Sequence, residues 1–144
     1  MEARTILFVD DEKNVLTSLQ RGMMDEPYNL LFAESAKQAL EILEKNEVHV
    51  IVTDMRMPEM GGLELLKIVK EKYPHIVRLV LSGYTQATTL LTAINQGAIF
   101  KFITKPWKLE EEFKGIIHQA VEYYNLRAER DQLAKEFSEM KQSK

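Results

Sequence analysis

Val48-His49-Val50-Ile51-Val52-Thr53-Asp54-Met55-Arg56-Met57-Pro58-Glu59-Met60-Gly61-Gly62 is a β-rich run that ends on an acid and then breaks at a proline and two glycines. Apolar residues follow one another without polar alternation, the pattern of a parallel strand covered on both faces. A carboxylate at the C-terminal tip of such a strand is badly placed for packing. It is well placed for chemistry, because open α/β sheets bind ligands outside those tips.

Working outward, Ile6 to Val9 is a second continuous apolar run, and it stops at Asp10-Asp11. Val15, Leu16, Leu19 and Met23 recur at helical spacing, with Gly22 near the end and Pro27 beyond. Tyr28 to Ala33 predicts another strand, and Ala36, Ala39, Leu40 and Leu43 a helix that Ser35 caps. Downstream of Gly62, Leu65 or Leu66, Val69 and Tyr73 line a third helix stopped by Pro74. Ile76 to Leu81 is the fourth strand, closing on Ser82-Gly83. Leu90, Leu91 and Ile94 mark a fourth helix ended by Gly97, Phe100 to Ile103 a fifth strand, and a last helix begins near Leu109. Five strands alternating with five helices predict an α/β, doubly wound, five-stranded parallel sheet in the order 2-1-3-4-5 that is common to such folds.

The 144 residues, 45% hydrophobic and 28% charged, suit one domain with a sizeable core and a short appendage. A formal charge of -3 and a pI near 5.7 give no field for a phosphate backbone, so no direct nucleic-acid contact is expected of this segment. Without cysteine there is no disulfide, thiolate metal site or cysteine nucleophile. No stretch approaches the roughly 18 to 20 apolar residues of a membrane span. The expectation is a cytoplasmic protein away from the membrane.

In the 2-1-3-4-5 order the tips of the first and third strands lie side by side, so Asp10, Asp11 and Asp54 converge. Three carboxylates together repel one another unless a cation joins them, and an open, all-oxygen site suits Mg²⁺. The fourth strand ends on the hydroxyl of Ser82 and the fifth near the ammonium of Lys105. Acid, acid, hydroxyl and ammonium from four strand tips are the parts that phosphoryl transfer to a carboxylate needs. Singly each is weak, since Asp10-Asp11 also suits a helix cap and Ser82-Gly83 a turn. There is no Gly-x-x-x-x-Gly-Lys loop for a nucleotide.

Val9-Asp10-Asp11-Glu12, then Asp54-x-x-Met57-Pro58-x-Met60-x-Gly62, Ser82-Gly83 and Lys105-Pro106 resemble the receiver domains of two-component response regulators over roughly residues 4–124. The resemblance implies that Asp54 is phosphorylated by a sensor histidine kinase or a phosphotransfer protein. It implies that Asp11, Asp54 and the backbone carbonyl of Arg56 bind Mg²⁺, with Asp10 acting through water, and that Lys105 and Ser82 contact the phosphoryl group. It further implies a switch in which Ser82 moves in and the Phe102 ring follows, read out on the face of helix four, strand five and helix five. Phe102 stands where many relatives carry tyrosine, so the signal it passes must be steric. Arg56 and Tyr84 are expected over the mouth of the site, where they either modulate the lifetime of the phosphoryl group or are plain surface groups.

The last helix runs on after Phe113, Ile117, Ala120 and Tyr124 have covered the sheet. Tyr123, Leu126, Arg130, Leu133, Phe137 and Met140 follow an a/d seam broken by Arg130. Residues 1–124 therefore read as the phosphoacceptor domain and 125–144 as a helical extension. The extension is either a frayed tail or a parallel coiled coil that dimerises the chain or leads to another domain; a homodimer is expected through it or through the helix four, strand five and helix five face. The Phe100 to Trp107 stretch resembles receivers joined to cyclic-dinucleotide phosphodiesterase or transcription-activator modules.

Two other classes compete. A phosphohydrolase resembling the haloacid dehalogenase type would use Asp10 as nucleophile, but that class carries Asp-x-Asp at the first strand tip, and here the third position is glutamate, Glu12, with no cap insertion in so short a chain. A receiver-like interaction module that works without phosphorylation typically loses an acid or the lysine, and this chain keeps all of them. His49, His75 and His118 lack metal-ligand spacing, and Trp107 is expected to pack rather than to stack on a base.

Overall fold

The computed structural model describes residues 3–82, 87–104 and 109–142. Five parallel strands, β1 (Thr5–Val9), β2 (Asn29–Ala33), β3 (Val50–Asp54), β4 (Val77–Ser82) and β5 (Lys101–Thr104), form one sheet in the order β2-β1-β3-β4-β5. The intervening helices are α1 (Lys13–Gly22), α2 (Ala36–Lys45), α3 (Gly62–Lys72) and α4 (Ala87–Asn95). A π-turn over Leu109–Phe113 opens into the long α5 (Lys114–Gln142). This is the doubly wound architecture expected from the sequence.

Alternation along each strand supplies two cores, because successive side chains leave a strand on opposite faces. Leu7, Val9, Ile51 and Val80 face α2, α3 and α4, where both Leu65 and Leu66 are buried. Ile6, Phe8, Val50, Val52, Leu79 and Leu81 face α1 and α5, where Phe113, Ile117, Ala120 and Val121 close the layer. The Phe8 ring stacks on Phe32 and Phe113 with centroids 5.7 and 6.2 Å apart. Register places Val52 beside both Phe8 and Leu79, so the strands that carry Asp10, Asp54 and Ser82 end at one edge of the sheet.

Helix ends follow local chemistry. The Ser35 Oγ accepts from the Gln38 N–H at 3.1 Å, and the Gln38 side-chain oxygen accepts from the Glu34 N–H at 2.7 Å, a reciprocal cap at the start of α2. Gly97, at φ 74°, ends α4 as expected: its N–H donates to the Ile94 carbonyl and the Ala98 N–H to that of Ala93, the paired bonds of a Schellman turn.

Several details differ from the sequence expectation. Leu91 is 55% exposed, and Ala93 instead joins Leu90 on the buried face of α4. Helical spacing allowed either set, and the small alanine is the one that fits close to the sheet. His49 sits just before β3 rather than inside it. Its N–H donates to the Thr5 carbonyl, and its Nδ1 accepts from the Thr5 N–H at 2.9 Å, so the ring stands in for a strand partner. Val121 joins Phe113, Ile117 and Ala120 in the buried layer, and Tyr124 packs half-buried at its rim, one face at ordinary helical spacing. No helix among the described residues is long and apolar enough to cross a membrane.

Candidate functional site

The tips of β1 and β3 are neighbours, and one carboxylate oxygen each from Asp10, Asp11 and Asp54 lies within 4.8 Å of the other two. Asp10 is fully buried. Its N–H donates to the Ala33 carbonyl at 3.1 Å, carrying the β1–β2 ladder one residue past the strand, and its Oδ1 accepts from the Glu12 N–H at 2.9 Å. That bond also serves the start of α1, whose N-cap Glu12 provides no side-chain cap of its own. Asp54 is buried, and its carbonyl accepts from the Thr53 Oγ1 at 3.0 Å. Asp11 is exposed and leaves the cluster open on one side.

Three negative charges within this span disfavour one another, more so where two of the groups are withdrawn from water. A hard divalent cation resolves the repulsion. The donors are all oxygen, fewer than a full coordination shell and open to water, which fits Mg²⁺, an ion that keeps several waters and takes few carboxylates. The chain's own residues therefore fit the metal.

Behind the acids, Met55–Gly61 turns the chain sharply into α3. Glu59 holds φ 69°, and the Met60 N–H donates to the Pro58 carbonyl at 2.8 Å, a γ-turn of the rarer hand. Such a non-glycine residue stores backbone strain of about 1–3 kcal/mol, and strain of this kind clusters at functional sites. Gly62 opens α3 against the strand tip itself: a Cβ there would meet the Asp54 carbonyl oxygen at 2.1 Å. The Gly62 N–H donates to the Met55 carbonyl at 3.0 Å, which locks the approach. The sequence marked Gly62 as part of a turn; that it allows α3 to touch Asp54 is visible only in three dimensions.

Ser82 is buried at the end of β4, one residue beyond Leu81, which pairs with Asp54. Phe102 is half-buried on β5, in register with Val80 and packed against the core under α2, α3 and α4. Arg56 is exposed on the loop after Asp54. Tyr84, Lys105 and Trp107 lie outside the described residues. Thus Asp10, Asp11 and Asp54 come together, with Ser82 at the tip of the next strand.

A parallel sheet wound in this order with an acid cluster at the tips of β1 and β3 places the protein in the class of doubly wound domains with a candidate site at the topological switch point. Residues 6–117 match the response regulator receiver domain, and the chain belongs to that family. It is 38% identical over 129 residues to the hydrogenase transcriptional regulatory protein HoxA of Cupriavidus necator, covering 90% of this chain and 26% of that protein. It is 31% identical over 124 residues to the DNA-binding transcriptional regulator NtrC of Proteus hauseri, covering 86% of this chain and 26% of that one. The chain thus spans about a quarter of the length of these curated relatives.

Among solved structures, the signal receiver domain of an HD domain-containing protein from Pseudomonas fluorescens Pf-5 superposes with a TM-score of 0.81 at 33% identity, covering 86% of this chain and 98% of that one. A chain described as adenylate cyclase from Rhodopirellula baltica superposes with a TM-score of 0.87 at 32% identity, covering 93% and 98%. The protein is a receiver of two-component signalling.

Proposed function

We propose that the chain accepts a phosphoryl group on Asp54 from a sensor histidine kinase or a phosphotransfer protein in the cytoplasm, and reports it through the face of α4, β5 and α5. The convergence of Asp10, Asp11 and Asp54 at adjoining strand tips carries this reading. Asp54 is the buried acid of the set that lies on the central strand, and its Oδ attacks phosphorus while the bond from phosphorus to the donor nitrogen breaks. Asp11, Asp54 and the Arg56 carbonyl would hold Mg²⁺, with Asp10 acting through water. Bound there, the ion supplies charge neutralisation to the transferring group.

Lys105 and Ser82 take phosphoryl oxygens, and Phe102 fills the space Ser82 leaves. Arg56 and Tyr84 guard the mouth against water and so set the lifetime of the acyl phosphate. Residues 1–124 form the receiver and 125–144 the extension. In place of turnover, the domain undergoes one modification per cycle.

The extension favours self-association. Leu126, Leu133, Phe137 and Met140 are between 58% and 67% exposed, a large apolar stripe on a lone helix. With Tyr123, Arg130 and Phe137 at a positions and Leu126, Leu133 and Met140 at d, the g positions are Glu122, Glu129 and Glu136 and the e positions Arg127, Ala134 and Lys141. In a parallel pair each g residue faces the e residue five positions on in the second copy, giving Glu122 with Arg127 and Glu136 with Lys141. An antiparallel pair sets glutamate against glutamate. The charges therefore select a parallel homodimer. What the relatives' names describe, transcriptional regulation or cyclase and HD domains, makes an output module joined to this helix the natural recipient of the signal.

Mass spectrometry after incubation with acetyl phosphate and Mg²⁺ tests the central step. One hydroxylamine-sensitive phosphoryl adduct is expected, absent in Asp54→Ala and absent with EDTA. An adduct that survives Asp54→Ala defeats the proposal.

A further inference from the structure

At the other end of the sheet, where α5 leaves the domain, lies a cavity of about 460 Å³ whose lining includes Arg78, Phe100, Tyr123, Arg127 and Arg130 but no aspartate or glutamate. Arg78 is the second residue of β4, and an arginine on an inner strand needs a reason. Its Nε donates to the Ala98 carbonyl at 2.9 Å, one terminal nitrogen to Ile76 at 3.0 Å and the other to Gly97 at 2.9 Å. A guanidinium has five N–H donors, so these bonds fix the fork rigidly and leave two donors over. No carboxylate pairs with Arg78 among the described residues.

Arg127 is held on the same cavity by an aromatic ladder: its guanidinium lies 5.5 Å from the centroid of Tyr123, which lies 4.7 Å from that of Phe100. Arg130 has Asp131 at 4.0 Å, but both are exposed, and such a pair neutralises little. Burial, and then the neighbouring Arg127 charge, hold Arg78 below the usual arginine range. Three guanidinium groups are thus gathered around one cavity in a chain whose net charge is -3.

We infer that this cavity is an anion site for phosphorylated small molecules, with phosphoryl oxygens on Arg78, Arg127 and Arg130. The cavity falls within the range of small-molecule sites, roughly 300–1,000 Å³. Arginine forks match planar multi-oxygen anions bidentately, and three positive charges exceed what one carboxylate neutralises. The site does not depend on phosphorylation of Asp54, which lies at the opposite edge of the sheet.

Amide chemical shifts of the full chain, titrated without Mg²⁺ with inorganic pyrophosphate and in parallel with adenosine diphosphate, test this. Saturable shifts are expected at Gly97, Ala98, Phe100 and Tyr123. Saturable binding of both supports a site that reads the phosphoryl groups they share; binding of the nucleotide without pyrophosphate counts against it. Arg127→Gln and Arg130→Gln, whose side chains hold no backbone bond among the described residues, should each weaken binding at least about fivefold. Glu44→Gln, exposed on α2 and outside both the cavity and the helical extension, should leave it unchanged. No saturation by about 10 mM, shifts confined to the Asp54 end, or full affinity in both arginine variants overturns the inference.

Discussion

Gly62→Ala offers the sharpest check on how the fold positions Asp54. The added Cβ would lie 2.1 Å from the Asp54 carbonyl oxygen, 3.0 Å from its carbon and 3.2 Å from the Met55 Cα. All three are backbone atoms, so no rotamer relieves the contact, and either the tip of β3 or the start of α3 moves by about an ångström. Overpacking of this kind costs about 1–3 kcal/mol, and a backbone clash belongs at the upper end. Alanine returns ~1 kcal/mol through helix propensity and a less free unfolded chain. The balance is a loss of about 2 kcal/mol, or a fall of roughly 6–10 °C in Tm for a domain of this size.

Gly61→Ala is the matched comparison. Its Cβ would sit 3.3 Å from the Met55 carbonyl oxygen at φ -75°, a conformation any residue adopts, so a change within about 1 kcal/mol is expected. Thermal melts followed by circular dichroism without Mg²⁺ read the difference. The rate of phosphoryl acceptance from acetyl phosphate, which is sensitive to ångström displacements by up to ~100-fold, should fall only in Gly62→Ala. Equal melting temperatures for the two variants would refute the close approach of α3 to Asp54.

Asp11→Asn should weaken Mg²⁺ binding at least about tenfold, read by isothermal titration calorimetry. The same variant should be slightly more stable than the parent when metal is withheld, since one of three crowded charges is gone; lower metal-free stability counts against the repulsion argument. Lys114 donates to Asp25 at 3.0 Å, and this bond holds the Asp25 carboxyl below its ordinary 3.8. A lowered folded value means stability that is full above that pH and lost as pH falls through the folded value, so Lys114→Met should flatten the acid limb of stability below pH ~4. Leu133→Asp should abolish self-association in sedimentation while leaving the Tm of the metal-free domain within ~1 °C, because Leu133 touches no core.

Strands and motif tips were legible because they obey short-range rules. Ile6 to Val9 and Val50 to Val52 read as doubly covered strands from composition alone, and their covering layers follow. The acid cluster was legible because strand order turns a one-dimensional spacing into a neighbourhood. Helical faces were less so: nothing local decides between Leu91 and Ala93, which differ only in how closely α4 can approach the sheet. The Thr5–His49 ring bond, the Gly62 contact and the arginine cavity were not legible at all. The first and the last join residues far apart in sequence through the register of β1, β3 and β4, and the Gly62 contact depends on how tightly the Met55–Gly61 loop folds back on the tip of β3. The available signal was an arginine, Arg78, inside an otherwise apolar strand.

The placement of Arg130 ties the two ends of the molecule together. From Ile116 to Gln142 the last helix has neither glycine nor proline, so it has no hinge. Its root is gripped: Phe113, Ile117 and Ala120 are buried, Arg4 lies 5.0 Å from the centroid of Tyr124, and the Arg4 Nε donates to the Asn125 side chain at 2.7 Å. Beyond Asn125 no side-chain hydrogen bond returns to the body among the described residues. The free part is therefore a rod about that root, and from Asn125 to Gln142 it is roughly 25 Å long. A tilt of about 5° at the root then displaces the far end by about 2 Å, enough to misalign an a/d layer. In the proposed parallel dimer the one charged a position, Arg130, faces its own copy and opposes closure of the seam just where the rod leaves the domain. Glu122 of the second copy already faces Arg127 in that dimer, so an anion in the cavity competes with it for the guanidinium, and occupancy of the cavity should loosen the dimer by the same factor by which the dimer loosens the cavity.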